Sequence, residues 1–223
     1  MPTPAHRVLL SGFEPFGGLT YNSSSDVAEE VSHRADSELL ATQREHGQVV
    51  VDTVMLPVEF DTAGRLLIAA VEKHQPDVVI CLGLAAGTES VRLERVGLNL
   101  RDARIPDNAG AQPLGEAIVE DGPNAYFSTL RAKAAHQRIA GAGIPVSLSL
   151  SAGTYVCNEV LYTLLHHIDA GPLPIAAGFV HVPDLRSREP AVTPDQAAAA
   201  LDLTISESLQ TGADAAAAGG ALH

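Results

Sequence analysis

The apolar residues of the chain fall into short continuous or alternating runs of strand length, separated by stretches in which they recur at helical spacing. Predicted strands cover Arg7 to Ser11, Val49 to Val54, Asp77 to Leu84, the run from Pro145 towards Ser151, and Ile175 to Val182. The third, "DVVICLGL", is apolar throughout, as a strand covered on both faces should be. A helix capped by Asn22 or one of the serines after it is predicted to run to about Ala35, and another lies in "PVEFDTAGRLLIAAVEKHQPD" with Leu67, Ala70 and Val71 facing inward. A third spans Asn124 to Gly141. Beyond Cys157, Val160, Leu161, Leu164, Leu165 and Ile168 define a helical face that Gly171 and Pro172 end. The last helix opens on Thr193 as N-cap, Pro194 at the first position and Gln196 where a capping box needs it, with Leu201, Ile205 and Leu209 on one face.

One stretch breaks this rhythm. "GLAAGTESVRLERVGLNLRDARIPDNAGAQP" is polar and aperiodic, although Val91, Leu93, Val96 and Leu98 argue for extended structure, read as a hairpin-like excursion. The order of elements predicts an α/β fold: one domain over residues 1–210, with a mostly parallel twisted sheet and helices on both faces. The Gly/Ala-rich tail, 211–223, is expected to be disordered.

Composition narrows the function. The chain has 223 residues, no linker that divides it, and a formal net charge of −13 without a basic cluster, which argues against nucleic acid and anionic membranes as partners. No segment approaches the roughly 18 to 20 apolar residues of a membrane span, and the N-terminal run is too short for a signal peptide, so a cytoplasmic location is expected. Cys81 and Cys157 have neither disulfide-framework nor zinc-ligand spacing, and no cofactor or metal is implied. Cys81, inside a buried strand, reads as structural. His166, His167 and His223 fit no metal pattern and read as surface residues.

Cys157 is different, because it stands where a strand ending in Ser151-Ala152-Gly153 turns into a helix. The partial positive charge of a helix N-terminus favours a thiolate, so this thiol is expected to ionise below the roughly 8.5 of free cysteine. The plainer alternative is a small core residue. His181 lies at the carboxyl end of the last predicted strand, and ligand crevices of parallel sheets lie outside such ends. On neighbouring strand ends the two would form a nucleophile and a general base; alone, the histidine could be a satisfied core residue. In "GFEPFGG", Phe13 and Phe16 must either pack on the protein or line an apolar pocket, since exposing each ring forfeits roughly 1.5 to 3 kcal/mol. Glu94 and Arg104 read by themselves as solvated surface charges.

Together, "GFEPFGG" followed by Asn22, "ERVGLN" at 94–99, "RIPDNAGAQP" at 104–113, "SAGTYVCN" at 151–158 and "GFVHVP" at 178–183 resemble the pyrrolidone-carboxylate peptidases, or type I pyroglutamyl peptidases. The resemblance spans nearly the whole chain, in order. It implies a cysteine exopeptidase acting on N-terminally pyroglutamyl-blocked peptides, with Cys157 as nucleophile, His181 as base and Glu94 orienting the imidazole. It further implies a lactam pocket involving Phe13, Phe16, Asn22, Leu84 and Val156, with Arg104 supporting the site and Ile105 touching the ring, and it makes a homodimer or homotetramer plausible.

Departures from the family pattern cluster after the third strand. Leu84 replaces a glutamine, Ala86 a glycine and Thr88 an arginine; Arg92 stands where Ser or Thr is usual, Gly97 replaces alanine, and Ser23 a proline. Retained chemistry with weaker or shifted substrate binding is therefore expected. The same machinery acting on another small N-acyl or lactam group, or a non-catalytic binding module of this fold, are the alternatives.

Overall fold

The computed structural model describes residues 5–172 and 174–219; residues 1–4, Leu173 and 220–223, His223 among them, lie outside the described residues. Strands β1 (His6–Phe13), β2 (Val49–Leu56) and β3 (Val78–Leu84) are parallel, with β1 in the middle. They continue into a six-stranded sheet through β10 (Ala176–Val182), β4 (Val91–Glu94) and β9 (Val146–Ser149), in the order β2-β1-β3-β10-β4-β9. β4 is antiparallel to β10, and β9 is parallel to β4, so these last two strands both run against the other four. All seven residues of β3 are buried, which explains its unbroken apolar run. Alternate side chains of β3 feed two cores: Val78, Ile80 and Leu82 join one, Val79 and Cys81 the other.

The helices divide accordingly. On one face, α1 (Ser23–Asp36), α4 (Ala132–Gly141) and α6 (Pro194–Ser208) supply Val27, Val31, Ala135, Ile139, Leu201 and Ile205. On the other, α3 (Thr62–His74) and α5 (Val156–Ala170) supply Leu67, Val71, Val160, Leu161 and Leu164. The capping signals hold at atomic level. Asn22 Oδ1 accepts the Ser24 N–H, and Thr193 and Gln196 form the reciprocal box at α6.

Four expectations are corrected. First, β9 and β10 are not neighbours, because β4 lies between them; the stretch read as an excursion contributes a central strand before it leaves the sheet. Second, the helix predicted from Asn124 begins only at Ala132. Residues Ala125–Phe127 form β8, paired with β5 (Val96–Leu98), and Thr129 Oγ1 accepts the Ala177 N–H at 2.8 Å, so tertiary bonding holds this segment extended. Third, a short helix, α2 (Ala41–His46), was not anticipated. No local side chain caps it; the Asp202 carboxylate on α6 accepts the N–H groups of Ala41 and Thr42. Fourth, His166 is half-buried, its Nδ1 2.9 Å from the Tyr126 hydroxyl, rather than a free surface residue.

The remainder of the excursion, β6 (Arg101–Asp102) paired with β7 (Leu114–Glu116), packs beside α5. Asn158 on α5 pins it, accepting the Leu98 N–H and donating to the carbonyls of Leu98 and Leu100. Residues 211–219 contain no helix or strand, but Asp214 accepts the N–H groups of Lys133 and Ala134 at 3.0 Å each. It serves α4 as an N-cap supplied from a distant segment, since Arg131 makes no side-chain cap. Replacing Asp214 by Ala is expected to cost about 0.5 to 2 kcal/mol. Urea unfolding should show this as a lower midpoint with the same slope, and an unchanged midpoint would deny the contact any share in stability.

Candidate active site

The carboxyl ends of β1, β3 and β10 open on one side of the sheet, and the loops leaving them are tied down by short polar side chains. Phe13 ends β1 with its ring buried and its N–H donated to Ser24 Oγ at 3.0 Å, while Asn22 Nδ2 donates to the Glu14 carbonyl at 3.0 Å. The "RIPDN" loop is organised by buried Asp107, which accepts the N–H groups of Ala109, Ala111 and Phe60. Asn108 Nδ2 reaches the Pro15 carbonyl and the Tyr155 hydroxyl the Pro106 carbonyl, so the loops carrying Phe16, Arg104 and Cys157 brace one another.

Between them lies a narrow slot. Phe13, Phe16, Asn22, Val58, Leu84, Tyr155, Val156 and Cys157 line it, and its volume, ≈ 20 Å³, holds about one water. Of the residues expected at a lactam pocket, Phe13, Phe16, Asn22, Leu84 and Val156 come together here beside Cys157. Arg104 and Ile105 do not line it; both are exposed on the adjoining loop. The sequence reading missed Val58 and Tyr155. Tyr155 had a signal, since it adjoins the cysteine at the helix entry, whereas Val58 lies in a loop with no marker of its own.

Beside the slot, His181 on β10 and Glu94 on β4 are buried, with His181 Nδ1 2.9 Å from Glu94 Oε1. The His181 ring lies 4.7 Å from that of Phe179. Space for both comes from Gly83, opposite His181 in the register: a Cβ there would stand 2.8 Å from Phe179 Cζ and 3.0 Å from His181 Cδ2. Among the described residues Glu94 Oε2 has no hydrogen-bond partner, and the Arg92 guanidinium stands 3.6 Å from Oε1.

Cys157 is the second residue of α5, behind an extended N-cap at Tyr155. Its thiol is pushed up to about 12, first by burial and then by the negative charge of Glu94. That reverses the expected direction. A helix N-terminus contributes about half a charge, and here desolvation and a nearby full charge outweigh it. No hydrogen bond joins the thiol to His181 among the described residues, so the resting pair is a neutral thiol near a histidine already engaged by its carboxylate. Cys81 is also pushed up to about 12 by burial, as a structural thiol should be. Among the described residues there is no cluster of three or more His, Cys, Asp or Glu side chains placed to hold a metal, and no helix is long and apolar enough to cross a membrane.

Known proteins resemble this chain over almost its full length. The profile of the pyroglutamyl peptidase family matches residues 6–218. The chain belongs to the pyroglutamyl peptidase family. It is 40% identical over 223 residues to a pyrrolidone-carboxylate peptidase of Yersinia pestis, covering 97% of this chain and 99% of that one. A pyrrolidone-carboxylate peptidase of Clavibacter michiganensis is 41% identical over 227 residues, covering 100% of both. Among solved structures, pyroglutamyl peptidase I of Bacillus amyloliquefaciens superposes with a TM-score of 0.81 at 36% identity, covering 91% of this chain and 96% of that one. Pyrrolidone carboxyl peptidase of Thermococcus litoralis gives 0.81 at 35%, over 92% and 93%.

Against that family background the departures take places. Leu84 lines the slot. Thr88 closes the turn after β3 by donating from Oγ1 to the Ala85 carbonyl, and Ser23 Oγ accepts the Leu185 N–H from the segment after His181. Gly97 lets β5 approach α5, for a Cβ would sit 3.1 Å from the Tyr162 nitrogen.

Helix α5 itself carries a second buried carboxylate. Glu159 accepts the Asp61 N–H at 2.5 Å, and its Oε2 is 2.7 Å from Arg101 Nε, a close ion pair not aligned as a hydrogen bond. Asp61 has a φ of 59°, in the left-handed region. Burial raises the Glu159 carboxyl from 4.5 to about 7, against the opposing pull of Arg101. The folded protein therefore binds this proton more tightly than the unfolded chain. The stability gained by protonation is full below about pH 4.5 and is lost as pH rises through about 7. Unfolding measured across that interval should show wild type losing stability relative to Glu159→Gln as pH rises; parallel curves would refute the assignment.

Proposed function

We propose that this protein is a cysteine-type exopeptidase that hydrolyses the amide bond after an N-terminal pyroglutamyl residue, through Cys157, His181 and Glu94 and a thioacyl intermediate. The observation that carries this reading is the buried Glu94–His181 hydrogen bond beside a slot whose wall includes Cys157. Family membership supports the substrate, and the slot's chemistry is compatible with it, since a flat neutral lactam suits apolar walls with few polar groups.

The residues divide the work as follows. Glu94 holds Nδ1 of His181, leaving Nε2 to take the thiol proton, and the thiolate attacks the pyroglutamyl carbonyl carbon. The resulting oxyanion is met by backbone N–H groups at the start of α5, which have no partner within the helix. Imidazolium then gives its proton to the departing amine as the C–N bond breaks, leaving a thioester. Water, deprotonated by His181, attacks that thioester; the C–S bond breaks and the sulfur regains the proton. Because the resting thiol is protonated and not yet bonded to His181, substrate binding must bring the two into contact; catalytic hydrogen bonds are often long before substrate arrives. Phe13, Phe16, Asn22, Val156 and Leu84 take the lactam in this scheme, and Arg104 and Ile105 act from the slot's outer rim.

Hydrolysis of a pyroglutamyl amide with a chromogenic leaving group, beside its prolyl analogue, tests the reading. Turnover of the lactam alone, abolished in Cys157→Ser, is expected. If neither substrate turns over while Cys157 still alkylates, the slot serves another small N-acyl or lactam group, a reading favoured only by the departures at Leu84 and Thr88.

Leu84 generates a prediction of its own. An apolar wall where a polar side chain could meet the lactam amide forfeits a hydrogen bond of about 0.5 to 1.5 kcal/mol. Leu84→Gln should therefore lower KM about two- to tenfold with kcat little changed, by the same estimate. A KM equal to or above that of wild type would show that Leu84 is not limiting.

A further inference from the structure

Arg92 is the residue near the site that the reaction scheme leaves without a task. It sits two positions before Glu94 on β4, on the same side of the strand, and is opposite His181 in the antiparallel register. Its Nη2 donates to Ser149 Oγ at 2.7 Å, and its Nε stands 3.6 Å from Glu94 Oε1, an ion pair too long for a hydrogen bond. Ser149 ends β9, and its hydroxyl in turn donates to the Ser151 carbonyl, inside the turn that leads to Cys157. One guanidinium thus touches both the carboxylate that holds the histidine and the strand end that delivers the nucleophile.

Charge makes the contact consequential. Among the described residues only His181 and Arg92 place a basic group within 4.0 Å of Glu94, whose side chain is 0% exposed. With a neutral imidazole and a neutral thiol, Glu94 and Arg92 sum to zero, and moving the thiol proton to His181 keeps that sum. Without Arg92 the same buried cluster would carry a net negative charge, and a thiolate formed beside it would be repelled. We propose that Arg92 is a positioning residue of the active site: it balances the buried charge of Glu94 and ties the turn before Cys157 to β4. The assignment rests on the Cys157–His181–Glu94 reading but can be tested without a substrate.

The experiment compares wild type, Arg92→Met and Arg92→Lys by Cys157 alkylation with chloroacetamide at neutral pH, steady-state hydrolysis of the pyroglutamyl amide, and thermal unfolding. Removing a partly exposed charge next to the cluster should slow alkylation and lower kcat about three- to tenfold, with KM and Tm close to wild type. Arg92→Lys, which keeps the charge, should recover at least half of the alkylation rate. Wild-type alkylation in Arg92→Met overturns the proposal, as does a loss confined to Tm or KM, or a lysine variant no better than methionine. Should wild type fail to cleave the pyroglutamyl amide, the substrate reading falls, and the alkylation series still decides the role of Arg92.

Discussion

A carboxylate removed from water must find compensation inside the protein, and Glu94 is that carboxylate here. It sits on the first of the two strands that run against the other four. β4 lies against β10 in antiparallel register, with β9 following it in the same reversed direction, and this places Glu94 within hydrogen-bond reach of His181. The histidine is then held by a fixed bond rather than by packing alone, and the glycine across from it, Gly83, keeps the neighbouring strand out of its way.

Rigid strands supply Glu94 and His181, but Phe16, Asn22, Val58 and Tyr155 of the slot lie outside regular elements, and loops need anchors. Asn22 and Asp107 provide them, each satisfying backbone groups of an irregular segment, and Asn158 bonds the backbone of Leu98 and Leu100 where β5 ends. These side chains are short, so little rotamer freedom is lost in fixing them. Asn99 does the same further out, accepting the N–H groups of Ile118 and Val119.

Much of this was legible in the residues alone, and the limits are physical. The unbroken apolar run at 78–84, the Thr193-Pro194-Gln196 cap and the cysteine at a strand-to-helix corner are local patterns, and each marks its element. The insertion of β4 is a long-range pairing that no local period encodes. Helix α2 depends on Asp202, far away in sequence, and β8 depends on bonds from Thr129 to β10. At the site, Cys157, His181 and the two phenylalanines declared themselves by position, and Glu94 only through resemblance, since its burial cannot be seen without the fold. The direction of the Cys157 shift was misjudged because a helix terminus is visible in sequence while the surrounding desolvation is not.

The size of the slot carries a last consequence. A space of this size cannot receive a five-membered ring without its walls parting, so on the proposed reading the ligand must open the slot as it binds. Affinity on that reading contains the work of moving the slot's apolar walls apart, and apolar surfaces resist exposure. Selectivity at such a mouth depends on the reward for opening as much as on the contacts made once open. A ligand too small to repay the opening is rejected as effectively as one too large to enter.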